Sequence, residues 1–230
     1  MIRLFIENTF SIGQKLSLST EQSHYLMHVM RCKIQDTVQL FNGQDGEFCF
    51  QITEMRKQGV SGTLISRIAE QKKLASLTLI FAPIKQDRLS FMIEKSTELG
   101  VTHFQPVLTQ YTSMKRINSK RILRIATEAS EQCERMCVPT CGELMPLTHY
   151  MQDKTNDTHI AFAYERLILK EGAPPLDAKL NALLVGPEGG FSAEEVLLLT
   201  DKCNAISLGS LILRAETAAI IGLDRLRRDS

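Results

Sequence analysis

The spacing of apolar residues changes about a third of the way along this chain. Up to residue 68 they fall in short runs at 4–6, 15–18, 38–41, 47–53 and 60–68, each of strand length. Asn42-Gly43 between two of these runs predicts a hairpin, because both residues tolerate the positive φ that tight strand connections need. One helix interrupts the series. Ser19 with Gln22 three positions on forms a capping-box pattern, and Leu26, Val29 and Met30 are spaced to share one face. Several short strands with one helix predict a small β-barrel.

The polar run Glu70-Gln71-Lys72-Lys73 marks a domain boundary, giving domains 1–73 and 74–230. Beyond it strands and helices alternate. Residues 77–82 read as a buried strand. Asp87 then caps a helix through Leu99 that presents Leu89, Met92, Ile93 and Leu99 on one side, with Gly100 just past its end. Strands follow at 103–108, 159–164, 182–185 and 205–208, and helices at 119–135, 192–202 and 216–228. The helix at 119–135 turns Ile122, Ile125, Ala126 and Ala129 inward, and Ser192 with Glu195 forms a second capping box. Alternation of this kind predicts an α/β domain with a largely parallel sheet covered by helices.

Two loops of the second domain carry the candidate chemistry. Leu183-Leu184-Val185-Gly186-Pro187-Glu188-Gly189-Gly190-Phe191-Ser192 and Leu208-Gly209-Ser210-Leu211-Ile212-Leu213-Arg214-Ala215-Glu216-Thr217 each pass from an apolar strand through glycine into a helix. They predict a pocket built largely of backbone groups at the C-terminal ends of strands. Neither reads G-x-G-x-x-G or G-x-x-x-x-G-K-[ST], so dinucleotide and P-loop readings lose their main support.

Composition narrows the setting. With 230 residues, 43% of them hydrophobic and 23% charged, the chain has the makeup of a globular protein. No apolar run approaches the roughly 20 residues that span a bilayer, and charges break residues 1–7. A cytoplasmic protein without a secretion leader is expected. Six cysteines fit a reducing compartment. Cys133, Cys137 and Cys141 recur every four positions, but no second ligand pair accompanies them and Pro139 interrupts the helix that would align them, so no metal is expected. His24 and His28, four apart, lack a third ligand and read as RNA-contacting or packing residues. The net charge of +1 decides nothing, yet Lys115, Arg116, Lys120, Arg121 and Arg124 crowd one stretch with no acid before Glu128. That stretch is either a solvated helix face or a phosphate-contacting patch.

Five motifs in order carry a resemblance to a known family. They are His24-x-x-x-His28-Val29-Met30-Arg31 with Leu40-Phe41-Asn42-Gly43, Glu94-Lys95-Ser96-x-Glu98-Leu99-Gly100-Val101, Glu131-Gln132-Cys133-x-Arg135-x-x-Val138-Pro139, and the two glycine loops. The chain resembles, nearly end to end, the RsmE family of ribosomal RNA methyltransferases in the SPOUT superfamily. The resemblance implies a PUA-like N-terminal barrel that binds RNA and a methyltransferase domain whose C-terminal part forms a trefoil knot. It implies S-adenosylmethionine as cofactor, a homodimer, and methylation of uridine N3 in 16S ribosomal RNA of assembled small subunits. Carried over by position, Leu184, Val185, Gly186, Glu188, Gly189, Gly190, Leu208, Gly209 and Leu213 would hold the cofactor, with Tyr164 and Glu165 as further contributors. His24, Arg31, Lys115, Arg116 and Arg135 are the candidate RNA-binding residues. Leu211 stands where family members often carry an arginine; Arg214 is what remains in that loop, and Arg116 or Arg135 are candidates to compensate.

Uridine N3 carries a proton, so the implied reaction needs a general base or a group that stabilises the forming anion. Arg214 suits the second role, with a permanent charge and a planar donor fork matched to a pyrimidine carbonyl. Glu216 would orient Arg214 or accept the proton, although an acid there also suits a helix's first turn. Two alternatives follow from the same residues: a methyltransferase for transfer RNA or another nucleotide position, and an RNA-binding assembly factor without catalysis.

Overall fold

The computed structural model describes residues 1–155, 157–164 and 180–228. They divide into two compact units: Met1–Lys73 with Ser130–Val138, and Leu74–Ala129 with Pro139–Ser230.

The first unit is built on a five-stranded mixed sheet. Its strands are β1 (Arg3–Phe5), β2 (Lys15–Ser17), β3 (Thr37–Phe41), β4 (Glu47–Arg56) and β5 (Gly59–Ala69), in the order β1-β3-β4-β5-β2. β1 runs parallel to β3 and the other pairs are antiparallel, with register shifts along β4–β5 that bend the long hairpin. Leu4, Leu40, Phe50, Ile52 and Leu64 alternate inward and share a core with Leu26. Removing a ring such as that of Phe50 from this core costs about 3–5 kcal/mol.

Helix α1 (Thr20–His24) begins at the expected capping box, with Ser19 and Gln22 each bonded to the other's backbone. The expected apolar face does not continue past it. Tyr25–Val29 widens into a π-helical turn in which Met30 N–H donates to the carbonyl of Tyr25, five residues back. The wider turn breaks the 3.6-residue period, so Leu26 is buried while Val29 and Met30 are 59% and 41% exposed. The hairpin after β3 is also longer than Asn42-Gly43 suggests. Five residues, 42–46, separate β3 from β4, and the Asn42 side chain accepts from the N–H groups of Gln44 and Asp45. The N–H of Phe10 and then the Asn42 amide hold the Asp45 carboxyl below the usual carboxylate range.

The second unit contains a parallel sheet of β6 (Thr78–Phe81), β7 (His103–Leu108), β8 (Thr140–Cys141), β9 (Met145–Pro146), β10 (Ile160–Ala163), β11 (Ala182–Val185) and β12 (Asn204–Ile206). The order is β12-β10-β11-β6-β7-β8, with β9 pairing β7. Helices α2 (Gln86–Glu98), α3 (Ser119–Gln132), α4 (Leu147–Asp153), α5 (Ala193–Lys202) and α6 (Ala215–Arg228) complete the described elements. The expected parallel α/β pattern is present. β11 is buried along its whole length, as a central strand covered on both faces must be. The start of α2 differs in detail: Lys85 is the N-cap without a side-chain bond, and Asp87 lies inside the first turn, where its charge complements the helix dipole. Gly100 closes α2 at φ 93°.

Candidate active site

β10, β11 and β12 are adjacent and parallel, so the segments leaving their C-terminal ends emerge side by side. Between these segments lies a cavity of about 90 Å³. Ala163 and Tyr164 come from the end of β10. Val185, Gly186, Glu188, Gly190 and Phe191 come from the loop after β11. Leu208, Gly209, Leu211, Ile212 and Leu213 follow β12, and Ala215 and Ala218 belong to the first turns of α6. The topology thus converts three sequence-distant loops into one concave surface.

The β11 loop is tied down locally. Gly190 N–H donates to the Pro187 carbonyl at 2.9 Å, closing the Pro-Glu-Gly-Gly turn, and Gly190 takes φ 71°. The turn then enters α5 through the second expected capping box. Ser192 Oγ accepts from Glu195 N–H at 3.2 Å, while Glu195 Oε2 accepts from Ser192 N–H at 2.9 Å. The other oxygen of Glu195 accepts from Gln110 N–H at 2.8 Å, so the same side chain anchors the segment after β7. Beneath the loop, Phe191 meets the buried Phe162 ring edge to face, with centroids 6.3 Å apart.

Two glycines in this loop are required for different reasons. A Cβ on Gly186 would lie 2.9 Å from the Phe191 ring, which lines the cavity. A Cβ on Gly189 would lie 2.8 Å from the Tyr111 Cβ. Gly189 therefore gives close approach to Tyr111 and is not a lining residue. Leu184, also expected at the cofactor, is 1% exposed in the core under the loop. Val185, Gly186, Glu188, Gly190, Leu208, Gly209 and Leu213 all reach the cavity, as does Tyr164. Glu165 lies outside the described residues.

The β12 loop is held more lightly. Arg225 Nη1 donates to the Ser207 carbonyl at 2.6 Å, and Gly209 takes φ 124°. Leu211 and Ile212 are 78% and 83% exposed. Arg214 is exposed at the head of α6, where its carbonyl accepts from Ala218 N–H. Glu216 is buried in the first turn, and its carboxylate faces Arg88 of α2, Oε1 lying 3.8 Å from Nε. Arg88 also stands 3.5 Å from Glu188 through Nη1. Sequence reading missed Arg88, which sits 100 and 128 positions from the two acids and has no local pattern to announce it.

The candidate RNA residues fall in different environments. His24 and His28 are exposed with ring centroids 4.7 Å apart, and Arg31 is exposed at φ 54°. Lys115 and Arg116 are exposed before α3. Arg135 is instead buried within the first unit, with Nη2 donating to Cys137 Sγ at 3.6 Å; its guanidinium is engaged in packing there rather than displayed to solvent.

The six cysteines are free, and among the described residues no three His, Cys, Asp or Glu side chains gather as a metal site. Burial pushes the thiols of Cys32, Cys141 and Cys203 up, the last to about 11, so they remain protonated at neutral pH. Among the described residues no helix is long and apolar enough to cross a membrane.

A family model described as an RNA methyltransferase domain matches residues 70–227, and one described as an RNA methyltransferase PUA domain matches residues 18–65. The chain is 34% identical to ribosomal RNA small subunit methyltransferase E of Rickettsia conorii, over 98% of this chain and 94% of that protein. It is 30% identical to the protein of the same name from Synechocystis, covering 97% and 76% of the two chains. A methyltransferase from Legionella pneumophila solved with bound SAM superposes with a TM-score of 0.85 at 28% identity, over 99% of this chain and 97% of that one. The Neisseria gonorrhoeae enzyme E superposes with a TM-score of 0.86 at 24% identity, over 99% and 97% of the chains, and supports the fold. With a match this complete in both units, the chain belongs to the ribosomal RNA small subunit methyltransferase E family.

Proposed function

We propose that this protein methylates N3 of a uridine in 16S ribosomal RNA, using S-adenosylmethionine. The observation that carries the reading is the cavity where the loops after β10, β11 and β12 converge. Its lining fits that cofactor: the apolar surfaces of Val185, Phe191 and Ala218 suit a flat base, and backbone groups of the two glycine loops suit its polar edges. S-adenosylmethionine supplies an electrophilic methyl group when bound. The protein's share is to hold the uridine in line and manage its N3 proton. Arg214, exposed beside the cavity-lining Leu213 and Ala215, is placed to offer its donor fork to a pyrimidine carbonyl and stabilise the anion. Glu216, two positions on, is buried and directed to Arg88, and is the candidate proton acceptor.

The 1–73 domain serves as the PUA-like RNA-binding domain and residues 74–230 as the SPOUT methyltransferase domain with its trefoil knot. His24, Arg31, Lys115 and Arg116 are exposed and available to position RNA. The natural substrate, as the family membership suggests, is the small ribosomal subunit in the cytoplasm, where the target uridine must be exposed or flipped from its stack to be reached. The working form is a homodimer, in which the exposed apolar pair Leu211 and Ile212 would be covered. The test is a transfer assay on small subunits from cells lacking the modification, with labelled S-adenosylmethionine and nucleoside mass spectrometry. Labelled 3-methyluridine is the expected product; a different methylated nucleoside, or none, would overturn the substrate assignment.

A further inference from the structure

Arg88, on the first turns of α2, reaches two carboxylates from different parts of the site. Its Nη1 is 3.5 Å from Glu188 Oε1, on the cavity wall, and its Nε is 3.8 Å from Glu216 Oε1, on α6. Neither separation is a short hydrogen bond; one guanidinium is stretched between two acids. The other oxygen of Glu216, Oε2, is buried and has no hydrogen-bond partner among the described residues. Buried carboxylate oxygens are costly to leave unpaired, so this cluster is not arranged for stability alone. Formally it joins two negative charges and one positive charge, with Glu188 on the cavity wall.

We propose that Arg88 is a positioning residue that fixes Glu188 and Glu216 and, by offsetting one of their charges, sets how strongly the cavity prefers a sulfonium cofactor over its neutral thioether product. The proposal rests on the methyltransferase reading above. Two uncompensated carboxylates would draw the cation more strongly and leave the neutral thioether almost untouched. With Arg88 between them the pull is moderated. Arg88 and Glu188 are about a third exposed, with side chains 34% and 37% accessible, so solvent screening keeps the effect modest.

The test measures dissociation constants of the full chain for S-adenosylmethionine and S-adenosylhomocysteine by calorimetry, at low and high salt. In R88Q the preference for the sulfonium should rise about fivefold, with the gain shrinking as salt is added. R88K, which keeps the charge, should stay near the unmodified protein. E188Q should move the preference in the opposite direction, which keeps the proposal testable if R88Q folds poorly. A merely structural role would change both affinities together. An unmoved ratio in R88Q or E188Q, with normal binding by the unmodified protein, overturns this proposal alone. Failure of the unmodified protein to bind S-adenosylmethionine overturns the methyltransferase reading and this proposal with it.

Discussion

Two arginines, one in each unit, solve opposite problems. Arg3 has a side chain only 3% exposed and is saturated with partners. Its Nε pairs with Glu47, Nη1 donates to the Ser130 and Glu131 carbonyls at 3.2 Å, and Nη2 donates to the Arg135 carbonyl at 3.3 Å. The guanidinium also lies 4.7 Å from the centroid of the Phe41 ring. Arg88 has two acids at longer range, one of which keeps a buried oxygen that no described residue pairs. A buried charge that is fully satisfied locks structure in place. A looser cluster with one acid on a cavity wall leaves its charges available to act on what the cavity binds.

That contrast can be broken most severely at Arg3. Arg3→Met should lower unfolding free energy by about 3–5 kcal/mol, because Glu47 is left buried without its counter-charge. Chemical denaturation measures this, and pairing it with Glu47→Leu should recover much of the loss; a cost below about 1 kcal/mol would mean the network is not structural. Next comes the chemistry. Arg214→Ala should slow single-turnover methyl transfer about a hundredfold, the scale of one lost anion-stabilising donor, with cofactor affinity unchanged. Unaltered turnover would remove Arg214 from the mechanism. Gly189→Val should cost about 1–3 kcal/mol and weaken cofactor binding, since its Cβ meets Tyr111 and the loop must shift. Combination with Tyr111→Ala should relieve it, and no relief would place the strain elsewhere. Smallest is the stability effect of Arg88→Gln, expected under about 1 kcal/mol for a partly exposed ion pair. A loss as large as that at Arg3 would erase the distinction between the two arginines.

What the sequence disclosed depended on how locally each feature is encoded. Both capping boxes could be read because their partners are three residues apart, and they stand as expected at Ser19–Gln22 and Ser192–Glu195. β7, β11 and α5 were legible from apolar runs bounded by glycine or a cap. The π-helical turn at Tyr25–Val29 was not, since a pattern that suits an α-helix also suits a helix that slips by one residue. β8 and β9 are two residues each, too short to show a period, and α4 begins directly after β9 at Leu147. In the site, the glycine loops pointed to most of the cavity lining. The contact that makes Gly189 necessary was not legible, because a glycine's requirement comes from whatever lies opposite, here Tyr111 from another loop. The Arg88 cluster lay beyond reach for the same reason: ion pairs between segments far apart in sequence leave no spacing to read.

The anchoring of Arg3 by Ser130, Glu131 and Arg135 also bears on how the molecule is made. The first unit is discontinuous, needing Ser130–Val138 as well as Met1–Lys73. During synthesis, its strands leave the ribosome well before the carbonyls that saturate Arg3. At about 5–20 residues per second, the delay amounts to several seconds. Throughout that interval the nascent sheet holds an arginine still short of its acceptors. An RNA-modifying protein therefore cannot finish its first-made unit until much of its second has been translated, and vectorial, one-domain-at-a-time folding is closed to it.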